Sequence, residues 1–207
     1  MWNRSQHLKF VAMVVVKEEV RAHIVGVARK IFTRYGFRKT TMEQIAASSR
    51  KGKSSIYYYF KSKEEIFRAV VEKEAEELKY QLDRTLREDD APINKLKTYI
   101  LFRLRHVRSV ENFYAALNDE YLSHMDFILE IRKSIDLEER QVVTEILEEG
   151  MKDGSFQVGS SEIGAIAITT MMKGLELPLL LSDEHKKDRQ ELLEDLIRVL
   201  FYGIIKR

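Results

Sequence analysis

Residues 41–67 read TMEQIAASSRKGKSSIYYYFKSKEEIF. How this stretch divides into helices decides the fold. Thr41 stands ahead of Met42, Glu43 and Gln44, the Ser/Thr-x-x-Glu/Gln pattern in which a hydroxyl and an amide each satisfy one free N–H at a helix start. A helix is therefore predicted from Thr41 through Ile45, Ala46 and Ala47, and it has to be short because SSRKGKSS breaks the apolar pattern. Gly52 can serve as the N-cap of the next helix, whose first turn holds Lys53, Ser54 and Ser55 and which runs to about Phe60.

Upstream, apolar residues recur at Val20, Ile24, Val27, Ala28, Ile31, Phe32 and Tyr35 within Lys17–Tyr35, one buried helical stripe, and Gly36 supplies the stop. Downstream, Ile66, Phe67, Val70, Val71, Ala75, Leu78 and Leu82 mark a long helix after Ser62 that ends at DDAP, residues 89–92. Helical patterns continue over 93–110, 111–122, 125–152, 163–181 and 189–205, with a turn at Asp153 and a cap at Ser160. Two prolines, nine glycines and no alternating strand pattern complete an all-α reading.

The net charge of +2 hides an asymmetry. Residues 1–63 hold 14 Lys and Arg against 3 acidic residues, a net of +11, while residues 64–207 hold 21 against 30, a net of −9. One module is suited to a polyanion and the other is not. The absence of cysteine excludes disulfides and thiolate metal sites, which makes the cytoplasm the expected compartment. The apolar run 10–16 is too short for a membrane span and lacks a cleavage pattern. Residues 1–16 are expected to form a flexible arm carrying Arg4 and Lys9, and 163–181 is interrupted by Lys173, Glu176 and Pro178, so no membrane partner is expected.

Three helices with a turn between the second and third form a helix-turn-helix, in which the third enters the DNA major groove. Ile56 and Phe60 are four apart and share a face that can pack on the first helix; Lys53, Ser54, Tyr57 and Tyr58 occupy the other. Lys53 and the serines can donate to phosphates or base edges, and the tyrosines can pack on sugars or thymine methyls.

The segments VARKIFTRYGF (27–37), TMEQIA (41–46) and SSIYYYFKSKEEIF (54–67) together resemble the DNA-binding signature of the tetracycline-repressor (TetR) family, over roughly the first third of the chain. The resemblance implies that Thr41, Lys53, Ser54, Ser55, Tyr57, Tyr58 and Lys63 match the family's DNA-contacting positions, with Tyr59 and Phe60 nearer the core. It departs at the turn, where the usual Ala-Gly-Val-Ser becomes Ser49, Arg50, Lys51 and Gly52. That turn is either a tolerated surface variant or makes phosphate contacts of its own.

The resemblance also implies two domains, a helix-turn-helix domain at 17–63 and a helical effector-binding and dimerisation domain at 64–207, in a ligand-responsive repressor that a small molecule releases from a palindromic operator. Candidate pocket residues are Phe102, His106, Phe113, Tyr114, Tyr121 and His124, each weighed against an ordinary core role. Homodimerisation is expected through 163–181 and the last helix, with Leu192, Leu193, Leu196, Ile197, Leu200, Phe201, Ile204 and Ile205, and with Gly164, Ala165 and Ala167 allowing close approach. Two alternatives stand beside this reading: a DNA-binding dimer with no effector, and a helical metal enzyme built around Glu120 and His124. No catalytic residue, metal ligand set or cofactor is otherwise expected.

Overall fold

The first helix cannot run straight through Gly36 and kinks there, with a short helical piece following to Lys39, because the backbone at Gly36 takes φ 76° and ψ 164°, a region closed to residues with a Cβ. The computed structural model describes residues 4–86, 91–119, 122, 125–181 and 186–202. In chain order it holds α1 (Arg4–Lys39), α2 (Met42–Ser48), α3 (Lys53–Tyr59), α4 (Lys63–Leu86), α5 (Pro92–Arg105), a 3-10 turn (Val107–Val110), α6 (Glu111–Asn118), α7 (Asp126–Lys152), α8 (Ser161–Leu181) and α9 (Lys186–Tyr202). No strand occurs among the described residues, so the chain is all-α. It divides into two compact units, Met1–Lys73 and Glu74–Arg207.

In the first unit, α1 begins at Arg4 where the sequence suggested an arm over 1–16. Nothing between Arg4 and Val25 is a glycine or proline, so helix propagation meets no stop. Val15 and Val16 nonetheless remain exposed, and the buried stripe starts at Ile24, Val25 and Ala28. Past Gly36 the chain returns Phe37 to the core. Its ring lies 5.9 Å from Phe32 and 5.0 Å from Phe67, and Phe32 meets Phe67 edge-on at 5.0 Å. Three rings in stacked, tilted and edge-on arrangements fasten the end of α1 to the start of α4.

The carbonyls left open at this chain reversal are satisfied by side chains. Thr40 Oγ1 donates to the Gly36 carbonyl at 2.8 Å, and Lys63 Nζ donates to those of Phe37 and Thr40 at 2.9 and 3.0 Å. α2 opens with the predicted reciprocal cap: the Gln44 amide N–H donates to Thr41 Oγ1 at 3.2 Å, and the Thr41 N–H donates to Gln44 Oε1 at 2.9 Å. α2 closes with paired bonds from Arg50 N to Ala47 O (3.1 Å) and from Lys51 N to Ala46 O (3.0 Å), a Schellman end. Gly52 then caps α3 in an extended conformation, also as predicted.

In the second unit, Tyr99, Ile100 and Leu104 of α5, Ile128, Val143 and Leu147 of α7, Ala165 and Met172 of α8, and Leu193 of α9 form the core. Gly164 and Ala165 serve a different contact from the intersubunit one that the sequence suggested. A Cβ on Gly164 would stand 2.9 Å from Leu147 Cδ1, and Ala165 is fully buried, so these small residues let α8 approach α7 within the same chain.

Gly36→Ala tests the reversal. A Cβ there would meet no atom within 4 Å, so the expected loss of about 1–3 kcal/mol is purely a backbone cost. Chemical denaturation should show the midpoint falling with an unchanged m-value.

Candidate nucleic-acid interface

α3 has seven residues and two chemically distinct sides. Ile56 is fully buried and Phe60, its C-cap, is 2% exposed, whereas Lys53 and Ser54 are exposed and Tyr57 and Tyr58 are 43% and 69% exposed. Ser55 and Tyr59 are half-buried at the borders. Two exposed phenols of this size on one short helix form a polar-aromatic ridge beside the buried side.

Cations from α1 flank the ridge. Lys17 Nζ lies 5.2 Å from the centroid of the Tyr58 ring, whose edge meets Tyr59 at 5.0 Å, and the Arg21 guanidinium stands 5.0 Å from the centre of the Phe60 ring. Among the residues expected to contact DNA, Thr41 is exposed, but its hydroxyl already accepts the cap bond of α2. Lys63 departs from the group. Its ammonium is engaged by two carbonyls of the Gly36 reversal and lies 4.2 Å from the centre of the Phe37 ring, which makes it a brace for the fold in this structure.

Sequence reading missed the partner of Lys53. Its Nζ lies 2.5 Å from Glu43 Oε1, with both side chains mostly exposed, so the pair ties the second residue of α2 to the first of α3. The Lys53 hydrogen bond and charge hold the Glu43 carboxyl below its ordinary value, and Glu43 raises Lys53 in return. The pair is therefore present at neutral pH, and protonation opens it only as pH falls through the lowered Glu43 value. No period marks such a contact. The only cue is two opposite charges at the starts of successive helices.

In the second unit, Phe102 and His106 come together as stacked rings 4.1 Å apart, with His106 Nδ1 2.8 Å from the Phe102 carbonyl oxygen. Phe113 and Tyr114 are both buried and meet edge-on at 5.7 Å. Tyr121, His124 and Glu120 lie outside the described residues. Sequence reading also missed two buried polar contacts. Glu74 accepts from Asn112 Nδ2 at 2.7 Å and from the Phe113 N–H at 3.3 Å, placing a carboxylate at the start of α6. Arg103 of α5 pairs with Glu139 of α7, both about 8% exposed. Among the described residues no group of three or more His, Asp and Glu could hold a metal ion, and no helix is long and apolar enough to cross a membrane.

Residues 24–70 match the model of the bacterial regulatory proteins of the tetR family. The chain is 28% identical over 186 residues to YfiR of Bacillus subtilis, an uncharacterised helix-turn-helix transcriptional regulator, covering 86% of this chain and 88% of that protein. A TetR/AcrR-family regulator from Thermobifida fusca superposes with a TM-score of 0.73 at 20% identity, over 90% of this chain and 98% of that one. AibR, solved with isovaleryl coenzyme A and operator DNA, superposes with a TM-score of 0.64 at 15% identity, over 90% and 100% of the two chains.

The Glu43–Lys53 pair generates a prediction about charge. Glu43→Gln frees Lys53 and removes an anion from the exposed face, so affinity for duplex DNA should rise roughly two- to fivefold, the range of an exposed pair. The gain should vanish in a Lys53→Ala background, which a double-mutant cycle by fluorescence anisotropy measures.

Proposed function

Because the chain belongs to the TetR family of transcriptional regulators, we propose that it binds a palindromic operator as a homodimer, represses the adjacent genes, and is released by a small-molecule effector. The observation that carries the DNA reading is the division of α3. Burial of Ile56 and Phe60 fixes the helix, while Lys53, Ser54, Tyr57 and Tyr58 face outward together. In a helix-turn-helix this outer side enters the major groove, where Lys53 and Ser54 donate to phosphate oxygens or base edges and the tyrosines pack on the sugar–base wall. Lys63 contributes by holding the Gly36 reversal closed.

Dimerisation is supported by apolar side chains that the monomer leaves in solvent. On α8, Ile163 is 70% and Ile166 47% exposed; on α9, Val199 is 50% and Tyr202 75% exposed. Leu193 and Ile197 turn inward, so α9 supplies one side to its own core and another to a partner. Ile204 and Ile205 lie outside the described residues. Two copies of this surface make a self-complementary contact across a two-fold axis, which places two heads on two half-sites.

The effector reading rests on family membership and on AibR, which was solved with an acyl coenzyme A thioester as well as with DNA. A ligand of the second unit releases DNA only if it binds the DNA-incompetent state more tightly. Phe102 with His106, and Phe113 with Tyr114, are the described aromatic groups proposed to border its site.

Three outcomes test this reading. Lys53→Ala and Tyr58→Ala should each weaken binding to a duplex selected by the wild-type protein about tenfold or more, with thermal melting unchanged; equal binding by both would sink the assignment of α3. Lys53→Ala should also lower the log–log salt slope by about one per head. Ile166→Glu should shift sedimentation from dimer toward monomer and weaken DNA binding with it.

A further inference from the structure

We propose that Arg50 is an additional DNA contact, its guanidinium donating to a phosphate oxygen at the edge of the groove that α3 enters; this rests on the DNA-binding reading of the head. The Schellman end of α2 requires a left-handed residue after Ser49, and Arg50 supplies it at φ 53°. It is the only non-glycine residue with positive φ among the described residues. Glycine adopts this conformation without strain, whereas a side chain crowds its own backbone there.

The strained backbone closes the end of α2, but the side chain that causes the strain secures nothing inside the molecule. Arg50 is exposed, and no hydrogen bond or ion pair engages its guanidinium among the described residues. Of the cations beside the turn, Lys51 is half-buried and Lys53 reaches Glu43, whereas the exposed Arg50 guanidinium has no such neighbour among the described residues. Position supplies the partner. Arg50 lies two residues ahead of the Gly52 cap, at the end of the recognition helix whose first residues approach the bases. The groove there is walled by phosphates, which a guanidinium binds with charge-assisted, directional hydrogen bonds.

Arg50→Gly should move stability and binding in opposite directions, which a side chain idle in the turn would not do. In the full-length protein the melting temperature should rise by about 2–4 °C as the strain is lost. Affinity for a 30-base-pair duplex, selected from a random pool by the wild-type protein, should fall about tenfold, with a salt slope smaller by about one per head. Arg50→Lys keeps both strain and charge, so it should melt with wild type and bind within about threefold of it. A higher-melting Arg50→Gly variant that binds like wild type, or binds more weakly at an unchanged salt slope, overturns the contact. Arg50→Lys binding as weakly as Arg50→Gly also counts against it. If the wild-type protein selects no duplex at all, the DNA-binding reading itself fails, and that result is distinct from loss of the Arg50 contact alone.

Discussion

A helix of seven residues has no stability of its own in water, because nucleation costs more than two turns of hydrogen bonds return. α3 exists because Ile56 and Phe60 are buried, each removal from water contributing about 1.5–3 kcal/mol. The spacing of four that puts those residues on one side puts Ser54, Tyr57 and Tyr58 on another, and Lys53 is exposed at the first position of the helix. Folding and presentation of the ridge are therefore the same event. A substitution that loosened Ile56 would remove the exposed side as surely as one that deleted its tyrosines.

Ile56 and Phe60 need a surface to pack on, and the rest of the first unit supplies it under a second constraint. α1 has to break its axis, and Phe37 has to reach the core, within a few residues. Gly36 permits the reversal, the Phe32–Phe37–Phe67 cluster makes it favourable, and Thr40 and Lys63 satisfy the carbonyls that it strands. A positive charge suits that place, since the carbonyl end of a helix carries partial negative charge. A lysine at a position associated with DNA contact thus has a full set of partners inside the fold.

What could be read beforehand was whatever is local or periodic. The cap on α2, the start of α3 at Gly52 and the division of its faces depend on residues within four positions of one another, and all three were legible from Thr41 to Phe60. Contacts between residues distant in sequence have no period. Lys63 with Phe37, Glu74 with Asn112 and Arg103 with Glu139 each cross more than twenty residues, and nothing in the charge pattern singles them out. Small residues were legible as a site of close approach but not as to which partner approaches. Gly164 meets α7 of its own chain, where the Leu147 side chain fills the space that a Cβ would need. The start of α1 at Arg4 was missed for a simpler reason: propagation needs no apolar stripe where nothing breaks the helix.

The second unit carries a cost that the first avoids. Arg103 and Glu139 are both nearly excluded from water, and the Glu74 carboxylate is 1% exposed. A buried ion pair adds little net stability over an apolar pair of similar volume, yet breaking one by removing a partner costs about 3–5 kcal/mol, because the other charge is then stranded. Such a pair acts less as glue than as a constraint on which arrangements of α5 and α7 are permitted: those that keep the charges together, or those in which another ion replaces one of them. A ligand that reverses a two-state equilibrium from 1:99 to 99:1 has to discriminate between the states by about 5.5 kcal/mol. One buried charge left unpaired in the disfavoured state supplies a large part of that difference, whereas rearranging one aromatic contact, worth about 0.5–1.5 kcal/mol, does not. Any two-state change in this unit is thus governed more by its buried charges than by its rings, although the rings are what the sequence displays.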